Sequence, residues 1–325
     1  DGGIRGQNVG FWSDDSSMTL CLAKSIAHVG FFHTHDIMER FRQWFEKGAY
    51  TPGGTCFDFG HTCAKAIHRY QRGVIPALCG SNKSEENGNG SLMRILPAAF
   101  VLYGKYGKNV AESSRAMQEI HRISALTHRH PLAQSACGIY ISIACHILDG
   151  ETIPMSVYDG VEKALEWYGR HSRFLPIVDA WKNLAFVAQR DEDSIRSGGY
   201  VVETLETALW CLLRTESYQD CVLRCVNMGD ETDATAAVGG GLAGHYYGYD
   251  AILSEGLSLV AGEEPPHQLH LPIQIFPQSL LIISFSMGAR LDMLQKSEMW
   301  KILITFNQGV SSISLVGLFQ LVGLA

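Results

Sequence analysis

The fold reading turns on the stretch Ser13-Asp14-Asp15-Ser16-Ser17-Met18-Thr19-Leu20-Cys21-Leu22-Ala23-Lys24-Ser25-Ile26. Met18, Cys21, Leu22 and Ile26 recur at helical spacing, and the acidic pair stands at the N-terminal end, where the helix dipole favours negative charge. Two carboxylates therefore sit at one helix entrance. Working outward, Met38, Phe41, Trp44 and Phe45 predict a second helix from Asp36 to about Lys47, ending near Gly48. Thr51-Pro52-Gly53-Gly54 breaks the chain before a third helix through Ala64, Ile67 and Tyr70. Ser81 to Asn89 is a polar loop, and further helices are expected near 92–103, 109–126, 132–148, 158–168, 174–189, 201–213, 217–227 and 234–247. No stretch alternates apolar and polar residues long enough for a half-buried sheet, so the fold class is all-α. Ala234 to Gly248 is crowded with small residues whose glycines weaken an isolated helix relative to alanine, so this segment belongs at the centre of the bundle where backbones approach closely.

The chain has 325 residues and a formal charge of −7, which argues against nucleic acid as the main partner. Hydrophobic residues make up 46% and charged residues 18%, which excludes disorder over most of the length. Nine cysteines without a CxxC pair read as reduced core thiols of a cytosolic protein. From Ala251 onward the composition shifts, with only eight charged residues in the last 75. Residues 1–250 are read as one helical domain and 251–325 as an atypical apolar, poorly ordered tail. Ser311 to Ala325 falls short of the roughly 20 residues that span a bilayer, so a membrane anchor is not expected. The chain opens on Asp1-Gly2-Gly3, which reads as the interior of a longer product without a signal peptide.

Two acidic clusters carry the chemical signal: Ser13-Asp14-Asp15 and Asp230-Glu231-Thr232-Asp233. Adjacent carboxylates repel, and keeping them at a helix entrance in an apolar protein calls for a cation or strong hydrogen bonding. Oxygen donors without clustered His or Cys favour Mg²⁺, Mn²⁺ or Ca²⁺ over zinc; the alternative is a pair of solvated helix N-caps. Gly239-Gly240-Gly241-Leu242-Ala243-Gly244 formally matches GxGxxG but lacks a preceding strand, so helix packing explains it better. Asn87-Gly88-Asn89-Gly90-Ser91, ahead of a helix expected from Leu92, is suited to an anion, with Arg94 one turn into that helix; an ordinary polar loop is the alternative. His33 and His35, or His128 and His130, lie two apart and cannot both face one ion from a helix, although His130 at a helix junction could line a pocket. No GxSxG elbow is present.

In order, Trp12 to Met18, Cys56-Phe57-Asp58-Phe59-Gly60-His61-Thr62, Gly88-Asn89-Gly90-Ser91-Leu92-Met93-Arg94, Thr127-His128-Arg129-His130-Pro131, Ser197-Gly198-Gly199-Tyr200-Val201-Val202 and Val226 to Asp233 resemble the motifs of the ADP-ribosylglycohydrolase family over about residues 8 to 250. The resemblance implies an orthogonal helical bundle with two Mg²⁺ or Mn²⁺ ions in a central cleft. It implies metal ligands Ser13, Asp14, Asp15, Glu231 and Asp233, with Asp14, Asp15 and Asp58 in catalysis. Gly60, His61, Gly88, Asn89, Gly90, Ser91, His130 and Tyr200 would contact substrate. The implied activity is hydrolysis of the glycosidic bond between ADP-ribose and a protein side chain, with an ADP-ribosylated protein or ADP-ribose derivative as partner and the chain acting as a monomer.

Several positions depart from the family pattern. Ser13 stands for Thr, Glu231 for Asp, Ala234 for a hydroxyl ligand and His61 for an amide, and the family's upstream acidic ligand precedes the first residue here. Weakened metal binding is the direct expectation. Two further readings on the same scaffold are a catalytically impaired ADP-ribose-binding protein and a structural, crystallin-like protein.

Overall fold

The computed structural model describes residues 11–248 and 251. Among these the regular structure is helical, and the only β-type pairings are two isolated bridges, Ser81 with His128 and Gly88 with Tyr200. The α-helices run in the order α1 (Asp14–Val29), α2 (Thr34–Lys47), α3 (His61–Gln71), α4 (Pro76–Cys79), α5 (Pro97–Tyr106) and α6 (Ser114–Ser124). They continue with α7 (Pro131–Leu148), α8 (Ile153–Gly169), α9 (Leu175–Val178), α10 (Val201–Leu213), α11 (Tyr218–Asn227) and α12 (Thr232–Tyr247). The all-α expectation holds.

Local chemistry explains the boundaries. Helix α2 starts where the His33 ring accepts the Asp36 amide at 3.2 Å, and it stops at Gly48, whose φ of 62° lies in the left-handed region. A Cβ at Gly48 would also collide with the Gly54 carbonyl, so glycine is required there twice over. Pro131 opens α7 at its first turn, where a missing N–H costs nothing. Helix α7 is long and apolar enough to cross a membrane, yet its apolar window is 89% buried within the protein, packed against α5, α6, α8, α10 and α12. It is a core helix.

Helix α12 is the small-residue segment, and it packs against α1, α7, α10 and α11 as expected of a central element. A Cβ on Gly239 would lie 2.8 Å from Cys225 Sγ, and one on Gly241 would lie 2.7 Å from Leu96 Cδ2 and 2.8 Å from Tyr140 Oη. The GxGxxG match is thus a packing face. All nine cysteines are unpaired thiols, eight of them buried.

Three helical expectations need correction. No helix starts at Leu92: residues 91–94 form turns, with Leu92 N donating to Asn89 O at 2.7 Å, and α5 begins at Pro97. Proline cannot donate within a running helix but suits a first turn, which moves the start. The expected 174–189 helix breaks after Val178, and the break lets Trp181 enter the core, where its Nε1 donates to Ser135 Oγ at 2.9 Å. The 109–126 segment divides into a 3₁₀ turn, Gly107–Glu112, and α6, whose N-cap Ser113 accepts the Ala116 amide. The expectation of a poorly ordered tail concerns residues that, apart from Ala251, lie outside those described.

Candidate active site

Ser13 is the extended N-cap of α1, and its hydroxyl donates to Asp15 Oδ2 at 2.7 Å instead of capping a backbone amide. That leaves Asp15 Oδ1 buried with no hydrogen-bond partner. Asp14, in the same first turn, meets two other carboxylates, Asp58 from the loop before α3 and Asp233 from the first turn of α12. Burial first, then Asp58 and Asp233, push the Asp14 carboxyl up to about 7, against the pull of amides at Asp14 and Gly60. Asp15 is pushed well above the ordinary carboxylate range by burial, Asp14 and Asp233. The leading charges acting on both residues are therefore carboxylates, and no cationic group stands among those leading influences.

This environment fits a divalent cation. The donors are carboxylate and hydroxyl oxygens, an acceptor is left over on Asp15, and mutual repulsion awaits a counter-charge. The second cluster joins only partly. Asp233 reaches the acidic set, while Asp230 and Glu231 are exposed and Asp230 takes a left-handed backbone at φ 54°. Ala234 is buried and brings a methyl group where a hydroxyl ligand is implied. The four carboxylates are also less tightly gathered than His146, Glu151 and Asp159, the triad among the described residues whose ligand atoms lie within 4.8 Å of one another.

A second set of expected residues is assembled by main-chain pairing. Asn89 N donates to Gly199 O at 3.1 Å and Val201 N to Asn87 O at 3.0 Å, so the Gly88 loop and the segment before α10 run side by side. Asn89 Nδ2 donates to Thr204 Oγ1 at 3.2 Å. The same segment grips the turn before α12: Ser197 Oγ donates to Gly229 O at 2.7 Å, and Glu231 N donates to Ser197 O at 3.1 Å. A Cβ on Gly199 would come within 3.3 Å of Glu231 Oε1, so glycine there lets the acidic side chain lie against the backbone. Tyr200 is 44% exposed beside this pairing, free to border a bound molecule. His130 caps α7 and faces Asn87 Nδ2 at 3.0 Å, and burial with Arg173 lowers its pKa.

Helix α3 joins the two sets. Its N-cap Gly60 sends an amide to Asp14, and Cys63, one turn along, lies under Gly90, where a Cβ would be 2.9 Å from its Sγ. Gly60 and His61 are exposed at the helix start. Ser91 turns inward, fully buried, its hydroxyl accepting from Ser124 Oγ at 3.0 Å, so its side chain is not offered to a ligand. Arg94 is not on a helix and does not face a ligand: it is fully buried, donating to Gly90 O, Ile123 O and Thr127 Oγ1 over the Phe41 ring.

The floor of the loop was not foreseen from sequence. His128, driven down to about 3 by burial and Arg94, sits 3.0 Å from where a Gly90 Cβ would be. The signal available was the Thr127-His128 pair, whose side chains bond each other at 2.9 Å.

The chain belongs to the ADP-ribosylglycohydrolase family, whose model matches residues 2–273. Among the individual proteins it resembles, the ADP-ribosylarginine hydrolase Tri1 of Serratia proteamaculans is 29% identical over 255 residues, 78% of this chain and 64% of that protein. The chain thus spans less than two thirds of that relative's length. The ADP-ribosyl-[dinitrogen reductase] glycohydrolase of Rhodospirillum rubrum is 30% identical over 247 residues, 76% of this chain and 72% of that protein. A solved ADP-ribosylglycohydrolase-related protein complex matches with a TM-score of 0.58 and 26% identity, covering 77% of this chain and 76% of the other.

Proposed function

We infer that this protein is a hydrolase that releases ADP-ribose from modified protein side chains, using Mg²⁺ or Mn²⁺ at the Asp14 site. The observation that carries the reading is the convergence of Asp14, Asp15, Asp58 and Asp233, with no cation among the leading groups that act on Asp14 and Asp15. The relatives named as ADP-ribosylarginine hydrolases support an arginine-linked substrate.

Ser13, Asp14, Asp15, Glu231 and Asp233 would hold two ions. When bound, such ions orient ribose hydroxyls and lower the pKa of a water. The chain's own groups do the rest. The Gly88 to Ser91 backbone and Tyr200 seat the nucleotide, with His130 behind Asn87 and with Gly60 and His61 at the ribose. Asp58, drawn close to Asp14, positions the attacking water and accepts its proton as general base, while the amide of Gly60 holds Asp14 in place. In the reaction the water oxygen bonds the anomeric carbon, the carbon–nitrogen bond breaks through an oxocarbenium-like transition state, and the leaving nitrogen keeps the electron pair and takes up a proton.

Ala234 favours a second reading. Because its methyl group stands where the family pattern has a hydroxyl, a protein that binds ADP-ribose with impaired turnover fits the same site. Incubating the full chain with an ADP-ribosylarginine protein, with Mn²⁺ or with chelator, separates the two. Metal-dependent release of ADP-ribose supports the hydrolase; thermal stabilisation by ADP-ribose without release supports the second reading; neither would overturn both.

A further inference from the structure

We propose that His146, Glu151 and Asp159 form a separate site for one divalent transition-metal ion, Zn²⁺ by the chemistry of its donors. Each residue offers one ligand atom, and these atoms all lie within 4.8 Å of one another. None of the three is among the leading groups acting on Asp14 or Asp15, so this cluster is independent of the acidic site.

The fold builds the triad. Helices α7 and α8 pack against each other, and Gly160 lets them come close: a Cβ there would lie 2.7 Å from Ile143 Cα. Asp159 precedes that glycine, and His146 lies one turn beyond Ile143, so the contact delivers a carboxylate beside an imidazole. Glu151 arrives from the link between the helices, its Oε2 2.8 Å from His146 Nδ1. That contact holds the imidazole and the carboxylate side by side.

Two observations point to a cation. His146 is buried in the last turn of α7, where the helix dipole favours positive charge. Asp159 is half-buried and makes no hydrogen bond or ion pair with any described residue, although Lys163 attracts it from a distance. The cation now serving Glu151 is Lys108, with Nζ 2.6 Å from Oε1. Lys108 also stands 3.7 Å from Asp149 Oδ2, so it keeps a carboxylate partner when a metal ion takes Glu151. One imidazole nitrogen with two carboxylates suits Zn²⁺ far better than Mg²⁺, with water completing four-coordination. The ion would pin the end of α7 to α8.

The test is Zn²⁺ titration of the full chain, by calorimetry and thermal melting, in saturating Mg²⁺ to occupy the acidic site. The expected result is one Zn²⁺ per chain and a raised Tm. His146→Gln and Asp159→Asn should each weaken that binding at least about tenfold, the loss expected when an ion's immediate surroundings are altered. Lys108→Gln should tighten it. Asp159→Asn guards against misfolding of the buried His146 variant, and circular dichroism checks helicity in both. Absence of Zn²⁺ binding, or binding unchanged in both variants as adventitious thiol capture would be, overturns the proposal.

Discussion

Asp233, in the first turn of α12, raises the energy of the charge on Asp14, at the entrance of α1, across the candidate site. The chain spends folding energy to hold them together. Burial first, then Asp58 and then Asp233, raise the pKa of Asp14 from 3.8 to about 7.

Replacing Asp14 should therefore separate stability from activity. A group whose folded pKa is raised contributes fully below its unfolded value, and that contribution is lost as pH rises through the folded value. In the metal-free protein the Asp14 penalty is nearly absent at pH 4 and complete above about pH 7, growing at about 1.4 kcal/mol per pH unit. Asp14→Asn should raise the metal-free Tm at pH 8 by several degrees, leave it nearly unchanged at pH 4, and abolish ADP-ribose release. A lower Tm at pH 8 would contradict the repulsion.

Mn²⁺ or Mg²⁺ should stabilise wild type more at pH 8 than at pH 6, because protons compete for Asp14 and Asp15. Melting curves with and without chelator at both pH values check this, and the Asp14→Asn chain should show the smaller response.

His121 gives the opposite pH signature. Burial, with Arg173 and His171, lowers its pKa from 6.5 to about 3, and the ring stays neutral against Tyr168 Oη at 2.9 Å. The unfolded chain binds a proton below pH 6.5 that the folded chain refuses, so stability falls as pH drops from 6.5 towards 3. Comparing wild type with His121→Gln in urea between pH 6.5 and 5, the variant should lack about 1.4 kcal/mol per pH unit of that decline.

Gly241→Ala should destabilise by about 1–3 kcal/mol, because the new methyl meets Leu96 Cδ2 and Tyr140 Oη. The Tyr140 hydroxyl cannot swing away without leaving Val238 O, to which it donates at 2.9 Å. A Tm drop of several degrees is expected; an unchanged Tm would show that the helices part easily.

Ser197→Ala removes the hydroxyl that holds Met228 O and Gly229 O, at a cost of about 1 kcal/mol. Since that turn carries Glu231, KM for an ADP-ribosylated substrate should rise while helicity stays unchanged.

Helix periodicity made most of the bundle readable, down to the Gly48 stop of α2 and the whole of α10. Where sequence reading failed, a distant partner had overridden local pattern. Leu92 to Leu96 looks helical by its apolar residues, but Arg94 is drawn into the core by Thr127 and Ile123, and Pro97 sets the true start. Trp181 breaks its helix for Ser135 in the same way. At the site, adjacency in the chain brought Asp14 and Asp15 to attention, and the resemblance added Asp58. The inward turn of Ser91 and the exposure of Asp230 depend on backbone geometry that residue type does not encode. His128 was visible as a residue but not as a floor, since only the fold places it beneath Gly90.

The bonds joining residues 87–89, 197–201 and 231 are largely between main-chain atoms. Such bonds ask little of side-chain identity but much of spacing. Residues in these loops can therefore be exchanged, as Glu231 stands where the family pattern has Asp, while an insertion or deletion in one loop would slip its register against the others. Engineering of substrate preference on this scaffold should substitute within these loops and keep their lengths.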